Sequence, residues 1–298
     1  EIYQGLSSAV KEARRYLAPR LVNHILLLTD GYTFGDQPQT LQLARTAAQE
    51  GIVVSAMGLG QEWNDEFLDE IASVTGGTSA YINSAGAVVR FMNSHVRNLS
   101  NVFADRVQLS IAPDADVKLE YVFKLQPSPQ PLTIGQGFIP LGSLHRNRPI
   151  SVLMQFELPE GMSTDFRSIA RIVSLGDILA ERISSFQAMS DISVEVSADA
   201  TIENPPTAIL DALGKLTLYQ MQERAQDALE KGDVRKATQH LENLAARLSA
   251  LGESELAQQA LAEAQQVAHT AALTDKGRKA LKYQTRHLLL GKDGGEAG

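Results

Sequence analysis

The chain contains no cysteine, and this absence removes several classes of function at once. With no Cys among 298 residues, disulfides, zinc–thiolate sites and cysteine nucleophiles are all excluded. The same absence fits a reducing compartment, so we expect a cytoplasmic protein. The sequence also lacks any apolar run long enough to span a membrane.

The chain has fewer basic than acidic residues. The chain carries 27 Lys and Arg against 35 Asp and Glu, which gives a formal net charge of -8 at neutral pH. Nucleic acid and anionic lipid attract basic surfaces, so neither is an expected partner. The length suggests about two domains at roughly 150 residues each and is sufficient for a large core.

Residues that carry hydrolytic chemistry are not grouped in the sequence. The histidines fall in different predicted elements, and no pair has metal-ligand spacing on one helix: His24, His95, His145, His240, His269 and His287. Nucleophile-elbow and phosphate-loop motifs are also missing. Because a hydrolase needs a nucleophile or a metal-bound water beside a base, we interpret the chain as a non-enzyme. His24 adjoins an apolar strand, where we expect it to be a core or strand-end residue.

Residues 21–35 form the stretch around which the chain is organised. Residues 25–28 are an unbroken apolar run, and Thr29-Asp30-Gly31 ends the run with one carboxylate and a turn. This pattern predicts a strand of a parallel sheet that is buried on both faces. An acid at the carboxyl end of such a strand lies where open α/β sheets usually bind ligands. Asp30 has a second interpretation, in which it caps the next element or fixes a turn.

This stretch resembles the central strand and last metal-binding loop of von Willebrand factor type A domains, and the resemblance covers residues 1–101. It implies that Asp30 belongs to a metal-ion-dependent adhesion site and reaches Mg2+, or Ca2+ or Mn2+, largely through water. Thr29 and Gly31 would support the loop. In that family the ion keeps one coordination position for an acidic side chain of a protein ligand. The chemistry is consistent, because a hard cation prefers oxygen donors.

The order of elements around the loop strengthens the resemblance. Apolar periodicity predicts alternating helices and strands, which indicates a doubly wound parallel sheet. Asn64 is the expected N-cap of one of these helices. Gly58-Leu59-Gly60 has the spacing that begins a dinucleotide-binding fingerprint, but Trp63 stands where the third glycine would be. We therefore expect Trp63 to be a packing residue or, alternatively, a residue that lines the ligand face. The predicted elements are a helix at 5–17, a strand at 21–28, helices at 38–50 and 65–74, strands at 52–57 and 79–82, and a helix at 85–100.

The resemblance also implies an upstream partner. The main metal ligands of the family come from an Asp-x-Ser-x-Ser loop, and no such motif occurs in this sequence. Residues 1–104 are therefore expected to be the second half of a type A domain, completed by its upstream N-terminal half. Glu1 falls one residue after the expected metal-site Thr, which suggests proteolytic cleavage or metal-dependent self-cleavage there. A trimmed chain, or a domain completed by another chain, are the alternatives.

From residue 105 to 198 the apolar pattern alternates with period two, which predicts an antiparallel β-sandwich. Many bacterial type A proteins carry such a β domain after the metal-binding domain. Pro140 marks residues 138–141 as an edge strand, because proline cannot donate to the ladder. Asp114 and Asp116 are interpreted as turn residues, with calcium binding as the alternative. His145, Arg146 and Arg148 form a basic turn that is either solvated or binds an anion or a partner. The other predicted strands are 106–112, 117–125, 150–158, 169–175 and 192–196.

Residues 199–290 read as an α-helical domain, and residues 291–298 as a disordered tail. Helices are predicted over 207–231, 233–251 and 254–273, which gives a three-helix bundle packed on the sandwich. A tetratricopeptide-type hairpin is the alternative, on a weak resemblance. The basic stretch 276–287 is expected to be a solvated helix end or to contact an acidic partner.

The predicted fold class is therefore multi-domain: an incomplete type A α/β fold, an all-β sandwich and a helical bundle. Metal-dependent protein recognition, in adhesion or scaffolding, is the function this organisation favours. The alternative is a non-catalytic scaffold or adaptor, in which the sandwich and the helices bind partners and the type A part is structural. Asp30→Ala separates the two hypotheses, since it abolishes recognition only in the first.

Overall fold

The computed structural model describes residues 1–18, 21–82, 84–99, 101–134, 137–163, 165–179, 185–198 and 204–289. The predicted tail at 291–298 lies outside these residues. The chain divides into two compact units, one comprising essentially residues 1–59 and 63–203, the other residues 204–297 with 60–62. In the described part of the chain, no helix is both long and apolar enough to cross a membrane.

The first part of the chain is the predicted α/β layer. Three strands form one parallel sheet in the order β1-β2-β3, and helices alternate with them along the chain. The prediction of a parallel sheet with crossover helices is confirmed. The helix expected at 5–17 begins and ends three residues earlier. The elements are α1 (Ile2–Arg14), β1 (Asn23–Thr29), α2 (Gln37–Gln49), β2 (Ile52–Leu59), α3 (Asp65–Thr75), β3 (Ser79–Ile82) and α4 (Ala85–Leu99).

Burial differs sharply between the first two strands. All residues of β2 except the last are buried, as expected for the central strand of a parallel sheet. The same expectation is wrong for β1, whose residues are mostly half-buried and whose Leu28 is 46% exposed. The physical reason is position: among the described residues β1 pairs only with β2, so it forms an edge of the sheet.

The turn after β2 is built around Trp63. This side chain is fully buried, and a Cβ on Gly58 would lie 2.0 Å from the Trp63 ring. The indole therefore packs directly on the backbone of β2, so the packing interpretation of Trp63 is confirmed. Next to it, the Asn64 side chain accepts a hydrogen bond from the Phe67 amide at 3.0 Å, which confirms the predicted cap of α3.

The contact between Gly58 and Trp63 leads to a test by substitution. Gly58→Ala should lower the free energy of unfolding by about 1–3 kcal/mol, because the added methyl overlaps a buried ring. Gly5→Ala is the matched control, since no heavy atom lies within 4 Å of the added Cβ and alanine favours a helix interior. Urea unfolding of both variants measures the difference, and equal stability of Gly58→Ala and wild type would contradict this packing.

Residues 102–196 form two antiparallel sheets, ordered β10-β9-β4-β7 and β6-β5-β8. Their facing sides share a core, as a sandwich requires. The short strand containing Pro140 is an edge strand, as predicted. The strands are β4 (Val102–Pro113), β5 (Lys118–Gln126), β6 (Gln130–Pro131), β7 (Ile139–His145), β8 (Ser151–Glu157), β9 (Asp165–Ile178) and β10 (Phe186–Val196).

The two polar turns singled out in the sequence are occupied by local contacts. The Asp114 carboxylate accepts a hydrogen bond from the Ala115 amide at 2.9 Å, and Asp116 is ion-paired with Arg167. These contacts favour the turn interpretation over calcium binding. Arg146 and Arg148 are exposed, and the Arg146 guanidinium lies 5.8 Å from the centre of the Phe103 ring. The basic turn is therefore solvated and partly engaged within the protein.

Lys124 is an unusual member of the sandwich core. Its side chain on β5 is almost fully buried, and burial lowers its pKa to about 8. Because the native pKa lies below the value of 10.5 for an exposed lysine, the unfolded chain holds the proton more tightly. Below pH 8 the buried charge therefore lowers the free energy of unfolding by about 3 kcal/mol, because a difference of one in the pKa of a single proton corresponds to ~1.4 kcal/mol.

This cost predicts that Lys124→Met stabilises the protein. At pH 7 the free energy of unfolding should rise by about 1–3 kcal/mol, because methionine fills a similar volume without a charge. The gain should shrink as the pH rises through 8 to 10.5, where native Lys124 is neutral. Lys118→Met, on the exposed part of the same strand, should change stability by less than about 0.5 kcal/mol. A loss of stability in Lys124→Met at pH 7 would contradict the assignment.

The described residues of the helical unit form four helices instead of the predicted three: α5 (Thr207–Glu230), α6 (Val234–Ala250), α7 (Ser254–Thr270) and α8 (Asp275–Leu288). α5 and α7 each pack against both α6 and α8, which closes a bundle. The predicted boundary between the helices at 207–231 and 233–251 is confirmed. Gly232 adopts a φ of +76°, and Asp233 accepts a hydrogen bond from the Lys236 amide at 3.0 Å.

The expectation of a solvated basic end is wrong. Residues 276–287 lie almost entirely within α8, and Lys279, Lys282 and Arg286 are buried. Lys279 donates a hydrogen bond to the Gln61 carbonyl, and the burial of Arg286 has a physical reason in its aromatic neighbours. Arg286 donates a hydrogen bond to the Tyr219 hydroxyl at 3.0 Å, and its guanidinium lies 5.2 and 5.1 Å from the centres of the Tyr219 and Tyr283 rings. Contacts between a cation and an aromatic face stabilise such burial.

Candidate functional site

Asp30 follows the last residue of β1 at the carboxyl end of the parallel strands, and its side chain is exposed. Thr29 folds the turn around it: its hydroxyl donates to the Gly31 carbonyl at 3.1 Å and accepts from the Gly31 amide at 3.4 Å. The Thr-Asp-Gly turn is thus closed by Thr29 and Gly31. Asp30 is left facing solvent at the edge where α/β sheets bind ligands.

The rest of this loop is fixed to the start of α1. Asp36 accepts a hydrogen bond from the Tyr3 amide at 2.9 Å, and the Thr33 hydroxyl accepts one from the Ile2 amide at 3.3 Å. Thr33 in turn donates to the Asp36 carboxylate. The first amides of a helix have no partner within the helix, so the loop supplies partners that α1 would otherwise lack.

Asp36 bears on the alternative interpretation of Asp30 as a capping residue. Burial pushes the pKa of Asp36 up, but the hydrogen bonds from the Thr33 hydroxyl and the Tyr3 amide outweigh burial and hold the pKa below its ordinary value. Asp36, not Asp30, is the residue at the N-cap of α2. Asp30 therefore does not cap the next helix, and Thr29 makes the side-chain hydrogen bonds that close the turn. The role of Asp30 as a metal ligand stays a prediction.

Two exposed aromatic residues accompany Asp30 in the loop, and the sequence analysis missed them. Phe34 is 86% exposed and Tyr32 is 42% exposed. Their ring centres lie 6.4 Å apart. The alternation of aromatic residues with Thr33 between Asp30 and Asp36 was the available signal, because a short turn cannot bury every side chain.

The fit of a metal ion to these residues is partial. Mg2+ takes about six oxygen ligands in octahedral geometry, and Asp30 offers one exposed carboxylate. Within the described ranges, no group of three or more His, Asp and Glu side chains is arranged to hold a metal ion. Asp30 therefore suits one position in such a site, and the described residues form no cluster that supplies the others.

A second cluster brings together histidines that are distant in the sequence. His24 on β1 and His95 on α4 meet edge to face, with ring centres 4.3 Å apart and planes at 86°. His24 Nε2 also lies 2.9 Å from the hydroxyl oxygen of Ser55 on β2. Ser55 is fully buried, so no substrate can reach this serine–histidine pair. The contact of His24 with His95 joins α4 to the sheet, and the expectation that His24 is a packed strand residue agrees with its position.

The histidine cluster is held neutral by its surroundings. Burial, helped by the nearby His95 and His145, lowers the pKa of His24 to about 3. Burial likewise lowers the pKa values of His95 and His145, although Asp105 partly opposes the shift at His145. Because each native pKa lies below the value of 6.5 for an exposed histidine, the unfolded chain binds protons first as the pH falls.

The sign of this shift predicts acid sensitivity. Stability from His24 is complete above pH 6.5 and is lost as the pH falls toward 3; between pH 7 and 5 the loss should be about 2 kcal/mol. His24→Gln should flatten this part of the pH–stability curve, whereas His269→Gln on the exposed face of α7 should leave it unchanged. Urea unfolding at pH 7, 6 and 5 measures the curves. A slope as steep in His24→Gln as in wild type would count against the cluster.

Two known families match separate parts of the chain, the α/β part and the helical unit. Residues 1–100 match the von Willebrand factor type A domain. Residues 1–100 belong to the type A family. Residues 207–291 match a second family, described as the Sll0103-like, C-terminal alpha-helical domain. The resemblance inferred from the Thr-Asp-Gly strand is thus confirmed, and the helical unit has a family of its own.

The chain is similar to two curated proteins over part of its length. It is 29% identical to the Sll0103 protein of Synechocystis over 167 residues, which are 53% of this chain and 40% of that protein. It is 26% identical to the YfbK protein of Escherichia coli over 121 residues, or 39% of this chain and 20% of that protein. The chain therefore spans less than half the length of each of these relatives.

One solved structure is similar in fold over most of the chain. A von Willebrand factor type A protein from Catenulispora acidiphila aligns with 94% of this chain and 68% of its own, with a TM-score of 0.68 at 17% identity. At this identity the likeness shows the fold alone.

Proposed function

We propose that this protein recognises a protein ligand through a metal ion held beside Asp30. The observation that carries the proposal is the exposure of Asp30 on a turn whose other polar side chains are all engaged. Thr29 closes the turn, and Thr33 and Asp36 bond to α1. When bound, a Mg2+, Ca2+ or Mn2+ ion would supply an electrophilic centre that accepts a carboxylate oxygen of the ligand. Many type A domains mediate protein interactions, which supports this choice.

The remaining metal ligands would come from the upstream half of the type A domain, added at the free edge of β1. Support comes from β1, which pairs with β2 alone among the described strands and leaves Leu28 46% exposed. An unpaired strand edge offers a row of backbone donors and acceptors to a further strand.

Exposed apolar residues on the helical unit favour the second candidate, a scaffold. Ile209, Leu210 and Leu213 lie in the first two turns of α5, and each is more than a third exposed. In this alternative the helices and the sandwich bind partners, and the type A part is structural. Removal of divalent metal would then leave partner binding unchanged.

The metal hypothesis predicts a specific loss in Asp30→Ala. With the upstream half of the domain present, Mg2+ should raise the melting temperature of the wild-type protein, because an ion that binds only the folded state at ten times its Kd adds about 1.4 kcal/mol. Asp30→Ala should lose most of this shift. Asp211→Ala removes an exposed carboxylate from α5 and should keep the shift. Thermal unfolding with Mg2+ and with chelator measures both.

Two results would contradict the proposal. One is an equal Mg2+ shift in Asp30→Ala and wild type, which would place the ion elsewhere. The other is no Mg2+ or Mn2+ shift in any variant, which would favour the scaffold.

A further inference from the structure

The loop between β1 and α2 presents a large apolar side chain to solvent as well as a carboxylate. Among the described residues, Phe34 is the most exposed large hydrophobic side chain, at 86%. Burying a phenylalanine stabilises a protein or a complex by about 1.5–3 kcal/mol relative to leaving it exposed. Single exposed apolar residues are common, so the inference rests on how this one is held and what lies next to it.

The loop is fixed on both sides of Phe34. Thr33 and Asp36 are buried and bonded to the first amides of α1, and Thr33 donates to Asp36. The backbone that carries Phe34 is therefore anchored one residue before it and two residues after it. An aromatic side chain on a fixed backbone loses little conformational entropy on binding, which is why such residues serve as anchors in interfaces.

Tyr32 extends the apolar surface around Phe34. It is 42% exposed, and its ring centre lies 6.4 Å from that of Phe34 with the planes tilted by 35°. The rings do not stack face to face, so both keep area for a third side chain. We call Tyr32 and Phe34 the aromatic pair.

Asp30 and the aromatic pair lie close enough to contact one short segment of a partner. Asp30 and Phe34 are four residues apart, and four residues of chain span at most about 14 Å. An extended peptide advances about 3.3 Å per residue, so three to five of its residues can cover both features. At neutral pH the chain carries a net charge of -8, which makes an anionic membrane a poor occupant of this surface.

We propose that Tyr32 and Phe34 form the apolar subsite of the ligand surface and set its specificity. The occupant is a protein segment in which a large apolar side chain follows or precedes the metal-binding acidic residue by one to four positions. The acid meets the ion beside Asp30, and the apolar side chain packs on the aromatic pair. This inference rests on the proposed function, because the ion explains why the partner contributes an acid.

Selection from a random peptide display library tests the sequence preference directly. The target is the protein together with its upstream half, in Mg2+; bound peptides are eluted first with chelator and then with acid, and both eluates are sequenced. The expected consensus is Asp or Glu with Leu, Ile, Phe, Trp or Tyr within four positions. A consensus acid without an apolar neighbour would overturn the subsite and leave the metal function standing. A consensus of apolar residues without an acid, insensitive to chelator, would overturn the metal function and leave the subsite standing.

Affinity of the selected peptide for protein variants provides the second arm. Phe34→Ala should weaken binding about tenfold or more, as for the truncation of an aromatic anchor. The matched control is Phe166→Ala, which removes an equally large side chain that is 72% exposed on β9, and it should change affinity by less than about twofold. Replacing the apolar residue of the peptide by alanine should cost the wild-type protein about tenfold and Phe34→Ala almost nothing.

Thermal unfolding of Phe34→Ala, with and without Mg2+, tests whether Phe34 contributes to folding instead of contacting the ligand. Phe34→Ala should keep the wild-type Mg2+ shift in melting temperature, whereas Asp30→Ala should lose it. If Phe34→Ala instead unfolds at a lower temperature and binds the peptide as wild type does, the other half of the domain covers Phe34 and the subsite is wrong. Equal peptide affinity of Phe34→Ala and wild type overturns the inference in any case.

Discussion

The contact on which the site depends is the hydrogen bonding of Thr33 and Asp36 to the first amides of α1. It joins the loop after β1 to the helix that precedes β1 in the chain, so both ends of the loop are fixed by ordered elements. A carboxylate near a helix start is favourable electrostatically as well. Thr33 and Asp36 are buried beside α1, whereas Asp30, Tyr32 and Phe34 in the same loop are exposed.

Two features determine the position and the accessibility of β1: its unpaired edge and the histidine cluster that packs on it. On one side, β1 pairs with the buried strand β2; on the other it has no strand neighbour in the described part of the chain. His24 fixes β1 to β2 through Ser55 and to α4 through His95. These contacts require neutral imidazoles, because a charged pair of rings at this distance would repel. The strand that carries Asp30 is therefore positioned by packing that weakens in acid, and its free edge remains available to a further strand.

Much of the fold could be predicted because its signals are local. A mostly apolar stretch at residues 52–57 marked β2. Single polar residues marked helix starts at Asn64 and Asp233, each through a side-chain bond to an amide three residues away. The sandwich followed from alternation with period two. What failed depended on the rest of the fold. Nothing within the sequence of β1 distinguishes an edge strand from a central one. The basic composition of α8 likewise does not show that Arg286 packs against Tyr219 and Tyr283.

The candidate site, like the fold, could be predicted only where its signals are local. Asp30 could be located from the strand and turn that contain it. The meeting of His24 and His95 could not, because the two residues are 71 positions apart and neither belongs to a motif. Asp36 and Thr33 could have been noticed as an acid and a hydroxyl three residues apart before a helix. Their bonds to α1 depend on how that helix packs, which local spacing does not determine.

The most direct test of the account is to locate a bound paramagnetic ion by NMR. Mn2+ added to the protein with its upstream half should broaden the backbone amide resonances of residues 29–34 first. Amides of β10, in the sandwich, should remain sharp at the same Mn2+ concentration. This result would place the ion beside Asp30 at the carboxyl end of the sheet. Broadening centred on another carboxylate, such as Asp114, or no site-specific broadening, would contradict metal-dependent recognition at this loop.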